Sequence, residues 1–232
     1  YQLIHIENLI NDIHAKTVLE LGSGQGANLG YLSKRVKDTD FTGLDLYPSL
    51  DRKNHRENVK IMQGDYHGLK DIPSNSIDLV YAIETLCYST NKSQIFKEVN
   101  RVLKKDGLFI IFDAYMAKSR NELSQIENLC ATLIENGYYL DEFEYIGNIE
   151  KYAKENELKV VEARCLNKES LPSLENYKKR IDKLCKFGFL FRIACSLVPK
   201  EVTGNIVPVY FMEDAIKMGL AVYYKHVFRK LK

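Results

Sequence analysis

A glycine-rich turn between an apolar run and a helical pattern most restricts how this chain can fold. The run TVLEL over residues 17–21 is β-branched and apolar, which is typical of a buried strand. Apolar residues at helical spacing follow over residues 29–36, and the turn between contains Gly22, Gly24 and Gly26. Glycine lets the backbone turn tightly and approach a ligand, and the following helix N-terminus offers unpaired N–H groups. The unit therefore predicts an α/β fold with a ligand site at the turn.

The same alternation of strand and helix patterns continues along the chain. The runs IDLVYAI and LFIIF are almost continuously apolar, as expected for parallel strands that are covered on both faces. We predict an α/β fold with a doubly wound, Rossmann-like, mostly parallel sheet of seven strands. The strands after the first are expected at about 40–46, 59–63, 77–83, 107–113, 159–166 and 220–228.

Two helices carry clear sequence signals. Apolar residues recur at spacings of three and four over residues 3–13, which predicts an amphipathic helix. Asn91 is the expected N-cap of a later helix, and the residues expected to stop that helix are Lys104, Lys105 and Gly107.

Length and patterning predict one domain over residues 1–232. The 232 residues are too few for two full domains of about 150 residues, and no repeat or linker marks a boundary. The mainly helical segments 115–157 and 167–218 are expected to be insertions on the substrate side, beyond the carboxyl edge of the sheet. Residues 187–198 (FGFLFRIACSLV) predict a buried lid helix, with contact to a membrane surface as the alternative.

Charge and cysteine usage exclude several classes of protein. With 33 basic and 31 acidic residues the net charge is +2, without the long basic run expected of a nucleic-acid binder. The five cysteines lack CxxC spacing and are expected to be reduced and mostly buried. No stretch approaches the roughly 20 apolar residues of a membrane span, and the helix-like pattern at the first residues leads us to expect no signal-peptide core. We predict a cytoplasmic protein with no nucleic-acid partner and no stable membrane insertion, while the oligomeric state stays open.

Three carboxylates lie at the carboxyl ends of three successive predicted strands and restrict which ligand can bind there. Glu20 precedes the first glycine by two residues, where its charge would repel a pyrophosphate but suit a cationic amino-acid group. Asp45 can hold ribose hydroxyls of either kind of nucleotide, and Asp65 can accept a hydrogen bond from an exocyclic adenine amine. Residues 22–27 also satisfy the GxGxxA pattern of dinucleotide sites. The acids nevertheless favour adenosine joined to methionine.

These residues and further motifs resemble one family. The chain is similar to the class I S-adenosylmethionine-dependent methyltransferases, in particular the small-molecule group that includes sterol, tocopherol and sarcosine methyltransferases. The likeness extends over residues 18–229. We expect no metal site. Its motifs are VLELGSGQG (18–26), LDL (44–46), GD (64–65), IPSNSIDLV (72–80) and RVLKKDGL (101–108).

The resemblance implies S-adenosylmethionine as cofactor and a role for each matching position. Asp45 would bind the ribose, Leu46 would cover a face of adenine, and Asp65 with Tyr66 would contact the adenine edge. The backbone at Ile83 would meet the methionine amino group. The residues that would line the methionine part are Glu20, Gly22, Ser23, Gly24 and Gly26.

The implied reaction is in-line transfer of the sulfonium methyl group to an O, N or C nucleophile of a small molecule. The cofactor carries the activation, so the protein contributes alignment and, for some acceptors, removal of a proton. Glu84 and Tyr88 are the candidate catalytic residues. Many relatives have histidine in place of Tyr88 and aspartate in place of Cys165, so a histidine base is not expected there. The aromatic-rich helical segments suit an apolar or aromatic acceptor, and equally an ordinary core.

Other interpretations stay open at this point. An NAD(P)-dependent oxidoreductase is disfavoured by Glu20, whereas a catalytically silent cofactor-binding or interaction protein is not excluded. A nucleic-acid or protein-glutamine methyltransferase is disfavoured because residues 82–85 read AIET, without an Asn/Asp-Pro-Pro-Tyr/Phe loop.

Two further polar residues are expected to have supporting roles. Asp78 is expected to cap or pair at a strand start, and His67 to be a solvated loop histidine.

Overall fold

The computed structural model describes residues 1–48, 56–186, 188 and 206–232. Its strands are β1 Thr17–Leu21, β2 Asp40–Asp45, β3 Val59–Gln63, β4 Ile77–Ile83, β5 Leu103–Met116, β6 Leu158–Cys165 and β7 Ala221–Lys230. The helices of the described part are α1 Gln2–Asp12, α2 Ala27–Arg35, α3 Lys92–Val102, α4 Gln125–Tyr138, α5 Ile146–Glu155, α6 Asn167–Cys185 and α7 Ile206–Lys217. Short 3₁₀ turns cover Leu86–Tyr88 and Arg120–Glu122.

The seven strands form one sheet in the order β3-β2-β1-β4-β5-β7-β6. The neighbours from β3 to β5 pair in parallel. The chain thus builds outward from β1 to β3 and then crosses to the other side of β1 with β4. This reversal makes a topological switch point between β1 and β4, where open α/β sheets bind their ligands. The predicted doubly wound, mostly parallel sheet of seven strands is confirmed.

The burial of β4 explains why a nearly continuous apolar run becomes a central strand. Leu79, Val80, Tyr81 and Ala82 are all fully buried. Since successive side chains of a strand lie on opposite faces, both faces of the sheet must be covered here. The amphipathic α1 behaves differently, because only the face that carries Ile6 and Ile10 is buried.

The start of β5 corrects one prediction. Helix α3 ends at Val102, and β5 begins at the next residue instead of after the expected stop signals at Lys104, Lys105 and Gly107. Those residues form a bulge, because Ile77 pairs with Leu103 whereas Leu79 pairs with Leu108. A Cβ at Gly107 would lie 2.9 Å from the Lys104 carbonyl oxygen, so the bulge needs glycine there. The residue types that end a helix are the same as those that form a bulge in a strand, so the sequence pattern did not distinguish the two.

The chain divides into two compact units. Unit 1 comprises Tyr1–Asp113, Ile149–Arg164 and Lys225–Lys232, and unit 2 comprises Ala114–Asn148 and Cys165–Tyr224. In unit 2, α7 packs against α4 and α6. The predicted helical segments 115–157 and 167–218 contain α4 to α7, and their substrate-side role stays a prediction. The lid helix predicted at 187–198 falls outside the described residues, apart from Gly188.

The cysteines contradict the expectation that they are mostly buried. Cys87 and Cys130 are half-buried, while Cys165 and Cys185 are exposed. Cys195 lies outside the described residues. None of the helices in the described part of the chain combines the length and the apolarity needed to cross a bilayer.

The end of β7 is tied to the end of α3 by a buried lysine. Lys230 is 7% exposed, and its ammonium group donates to Asn75 Oδ1 at 2.7 Å, to the Asn100 carbonyl at 2.6 Å and to the Leu103 carbonyl at 2.8 Å. The last carbonyl groups of a helix lack partners within the helix, and they favour a positive charge. Lys230 therefore caps α3 from a strand that is distant in sequence.

We expect Lys230→Met to lower the free energy of unfolding by about 3 kcal/mol, because it leaves buried acceptors without their charged donor. Urea denaturation measures the loss. Lys232→Met is the control, since that side chain is exposed and two residues away. Equal stability of the two variants would show that the Lys230 hydrogen bonds contribute nothing net.

Candidate cofactor and acceptor site

The parallel strands bring the predicted acids to one edge of the sheet. Glu20 lies in β1 opposite Gly43 of β2 and Tyr81 of β4. Asp45 ends β2 next to β1, and Asp65 follows β3 on the far side of β2. The carboxyl ends of β1, β2 and β3 are therefore neighbours. The structure places all three predicted acids along the carboxyl edge of β1, β2 and β3, on one side of the switch point.

In the glycine turn, one glycine packs closely against a neighbouring loop and another has open space beside it. Gly22, Gly24 and Gly26 all have positive φ angles, of 72°, 50° and 70°. A Cβ on Gly22 would collide with the side chain of Thr85, which follows β4. At Gly24 nothing lies within 4 Å of the position that a Cβ would take. Gly22 thus allows the β4 loop to pack on the turn, and Gly24 leaves backbone accessible to a ligand.

Asp45 links the turn to β2. Its Oδ2 accepts a hydrogen bond from the Gly24 N–H at 2.8 Å, and its Oδ1 accepts one from the Tyr47 N–H at 3.0 Å. Both oxygens keep further lone pairs, so the fixed carboxylate can still accept from two ribose hydroxyls. Leu46 next to it is 52% exposed, as suits a side chain that covers a face of a bound base.

Glu20 is a buried carboxyl group behind the turn. It is 1% exposed, and Oε1 accepts a hydrogen bond from Asn28 Nδ2 at 2.7 Å. Burial raises the pKa of Glu20 to about 8, against the opposing effect of Asn28 and Tyr81. Among the described residues, Glu20 Oε2 and Ser23 Oγ are buried polar atoms without a hydrogen bond of good geometry. Such atoms beside an open turn fit a ligand that carries an ammonium group.

Asp65 and Tyr66 follow β3 in contrasting environments. Partial burial would raise the pKa of Asp65, but the hydrogen bonds from His67 outweigh it and hold the pKa below its usual value. Burial raises the pKa of Tyr66 to about 12. The Tyr66 hydroxyl donates a long hydrogen bond of 3.4 Å to the Thr85 carbonyl. The adenine edge predicted here would thus meet an ionised carboxylate and a neutral phenol.

The two candidate catalytic residues follow Ile83, the last residue of β4. Glu84 is exposed, has a φ of 50°, and accepts a hydrogen bond from Gln2 Nε2 of α1 at 3.2 Å. Tyr88 is 53% exposed. Burial raises the pKa of Tyr88 above its ordinary value, and the negative groups nearby add to the effect. Tyr88 is therefore a phenol at neutral pH and suits a hydrogen-bond donor better than a base.

Sequence reasoning missed one supporting carboxylate. Asp113 in β5 is 2% exposed, and its Oδ2 accepts a hydrogen bond from the Cys87 N–H at 3.0 Å. It thereby holds the 3₁₀ turn that carries Tyr88. Its position beyond the apolar run LFIIF, at the carboxyl edge, is the signal that could have identified it.

The predictions for the two polar residues with expected supporting roles have different outcomes. The prediction for Asp78 is confirmed, because it accepts from the Lys16 and Thr17 N–H groups and pairs with Lys104 at 2.8 Å. The prediction of a solvated His67 is wrong, since both ring nitrogens contact protein groups. Within the described part of the chain, no group of three or more His, Cys, Asp and Glu side chains could hold a metal ion.

Part of the chain is similar to known methyltransferases. Residues 19–111 match the family model described as "Methyltransferase domain". Fatty-acid O-methyltransferase from Mycolicibacterium smegmatis is 31% identical over 117 residues, which cover 49% of this chain and 42% of that protein. Sterol methyltransferase-like 3 from Botryococcus braunii is 29% identical over 152 residues, covering 59% and 38%. The matched region is less than half of the length of these two curated relatives.

Solved structures share the fold over nearly the whole chain. A protein described as a sarcosine dimethylglycine methyltransferase from Galdieria sulphuraria has a TM-score of 0.77 at 20% identity, covering 99% of this chain and 84% of that one. Geranyl diphosphate C-methyltransferase from Streptomyces coelicolor A3(2), with Mg²⁺, geranyl diphosphate and S-adenosyl-L-homocysteine, has a TM-score of 0.71 at 14% identity, covering 98% and 79%.

The chain has the Rossmann-like fold of the class I methyltransferases. Residues 19–111 match a methyltransferase domain, and geranyl diphosphate methyltransferase, which shares the fold, has been solved with S-adenosylmethionine; these findings confirm the resemblance seen in the sequence.

The raised pKa of Glu20 gives a pH test. A carboxyl group whose pKa rises from 4.5 to about 8 on folding stabilises the fold fully below pH 4.5 and loses that effect as the pH rises through about 8. Glu20→Gln removes the titrating group. The free energy of unfolding of the variant should therefore rise relative to that of the wild type, by up to about 1.4 kcal/mol per pH unit between pH 4.5 and about 8. Urea unfolding at several pH values measures it.

The exposed Glu150→Gln is the matched control and should keep a constant difference from the wild type. A Glu20→Gln variant that also keeps a constant difference would contradict the raised pKa.

Proposed function

We propose that this chain is an S-adenosylmethionine-dependent methyltransferase that transfers the sulfonium methyl group in line to a small apolar molecule. The observation that carries the proposal is the row of acids at the ends of β1, β2 and β3, next to the open backbone at Gly24. Support for an apolar acceptor comes from the fatty-acid and sterol-type relatives.

The residues at this edge match the parts of the cofactor. The ribose hydroxyls would bind the two oxygens of Asp45, and the exposed face of Leu46 would cover the adenine. The adenine edge would meet Asp65 and Tyr66. The methionine part would lie along the glycine turn, where its ammonium group would contact Glu20 and the backbone at Ile83, and its carboxylate would accept from Ser23. Each polar contact pairs a donor with an acceptor.

When bound, S-adenosylmethionine supplies an electrophilic methyl group, so the protein need not activate the donor. The chain's own residues then have two tasks. The strand-end groups hold the cofactor in one orientation, which aligns the methyl group for in-line attack. For a hydroxyl or carbon acceptor, Glu84 would take the proton. Tyr88 would donate a hydrogen bond to the acceptor.

The remaining proposals rest on composition. A cytoplasmic location is supported by the five cysteines, which are odd in number and widely spaced, and the absence of a nucleic-acid partner is supported by the net charge of +2 without a basic run.

Removal of Asp45 tests the cofactor site. We expect Asp45→Ala to weaken binding of S-adenosylhomocysteine by about 1.5 to 3 kcal/mol, the range for hydrogen bonds to a charged group. Isothermal titration calorimetry measures the affinity. Asp40→Ala is the matched control, because Asp40 is an exposed carboxylate at the opposite end of β2. Unchanged affinity in Asp45→Ala would place the ribose elsewhere.

Substitution of the two β4-loop residues separates a working enzyme from a silent binder. Once a metabolite panel with labelled cofactor has identified an acceptor, Glu84→Gln should lower turnover by about 10²-fold and leave cofactor affinity nearly unchanged. Tyr88→Phe should cost less than about tenfold, since its phenol stays protonated. Tight cofactor binding without methylation of any acceptor would favour the silent binder.

A further inference from the structure

Asp65, His67 and Ser89 form a hydrogen-bonded chain that links the loop after β3 to the loop after β4. His67 Nδ1 lies 2.6 Å from Asp65 Oδ1, and His67 Nε2 lies 2.7 Å from Ser89 Oγ. The backbone N–H of His67 also donates to Asp65 Oδ1, at 2.9 Å. Both ring nitrogens of His67 are therefore engaged by protein groups.

The partners of Ser89 set the direction of these hydrogen bonds. Ser89 Oγ accepts from the Asn91 N–H at 3.1 Å, and its own proton can then be donated to His67 Nε2. An ionised carboxylate can only accept, so Nδ1 carries the proton that is shared with Asp65. One ring proton on Nδ1 thus satisfies every contact of the imidazole.

This arrangement leaves the two oxygens of Asp65 in different states. Oδ1 accepts two hydrogen bonds from His67. Oδ2 accepts none from the residues that the structure describes, and the Asp65 side chain is 56% exposed. Because Oδ1 is held from two directions, the carboxylate plane is fixed and Oδ2 is the oxygen available to a ligand.

The same order of groups occurs in the Asp-His-Ser triads of hydrolases, but the burial of the serine contradicts that role. Ser89 is only 4% exposed. Its Oγ already accepts the N–H of Asn91, the N-cap of α3. A nucleophilic serine must meet its substrate, and this one is enclosed. The chain is suited to fixing Asp65 and not to attacking an ester.

We propose that His67 is a positioning residue that holds Asp65 so that Oδ2 accepts a hydrogen bond from the exocyclic amine of a bound adenine. The inference rests on the proposed function, since it takes the ligand to be adenosyl. A 6-oxo purine presents an acceptor at the same place, so a fixed carboxylate would reject it. His67 would therefore determine selectivity for the base without touching the ligand.

Two near-isosteric variants test the two ring nitrogens of His67 separately. The amide of His67→Asn can take the place of Nδ1 and still donate to Asp65, whereas the amide of His67→Gln takes the place of Nε2 and contacts Ser89 instead. The probes are S-adenosylhomocysteine and S-inosylhomocysteine, which differ at the purine 6-position. Calorimetry gives both dissociation constants, and thermal unfolding without ligand reports on folding. His5→Gln is the control, since that ring packs against Tyr1.

We expect the wild type and His5→Gln to prefer the adenosyl compound by about 100-fold. His67→Asn should keep that preference within about threefold, while His67→Gln should lower it by about tenfold with little change in affinity for the inosyl compound. An unchanged preference in His67→Gln, or an equal loss for both compounds, would overturn the role of His67 alone. A wild type that binds neither compound would instead overturn the proposed function.

Discussion

The parallel pairing of β1 with both β2 and β4 is the constraint on which the rest of the site depends. It puts the ends of adjacent strands side by side, so acids that are far apart in sequence become neighbours. The glycine turn after β1 then closes against both neighbours. Gly22 accommodates Thr85 from the β4 side, and the Gly24 N–H is held by Asp45 from the β2 side. The strand order therefore brings the glycine turn and the residues that support it together and leaves one face of the turn open.

The acids along this edge differ because their surroundings differ. Burial dominates at Glu20 and raises its pKa to about 8, so this edge of the sheet holds a carboxyl group that a cationic ligand would ionise. Hydrogen bonds from His67 dominate at Asp65 and lower its pKa, so that group is ready to accept. A fold that keeps a buried acid beside an open glycine turn gives up stability for binding. This is the physical link between the fold and the proposed activity.

Periodicity and turn chemistry were enough to predict the strands, the glycine turn and the acids, because those signals are local. The contacts that could not be predicted from the sequence join residues far apart in the chain. The bulge at Gly107 exists because β5 pairs with β4, so its residues were interpreted as helix stop signals. His67 was interpreted as solvated because Ser89, its second partner, arrives from another loop. Lys230 caps a helix that precedes it by more than a hundred residues.

A crystal structure of the complex with S-adenosylhomocysteine is the most direct test of the central claim. The account predicts the ligand at the carboxyl ends of β1 to β4, with its ribose hydroxyls within hydrogen-bond distance of Asp45, its adenine amine at Asp65 Oδ2 and its amino group beside Glu20. A ligand bound at another place on the sheet would contradict it. So would a ligand at this edge whose ribose and adenine contact neither aspartate.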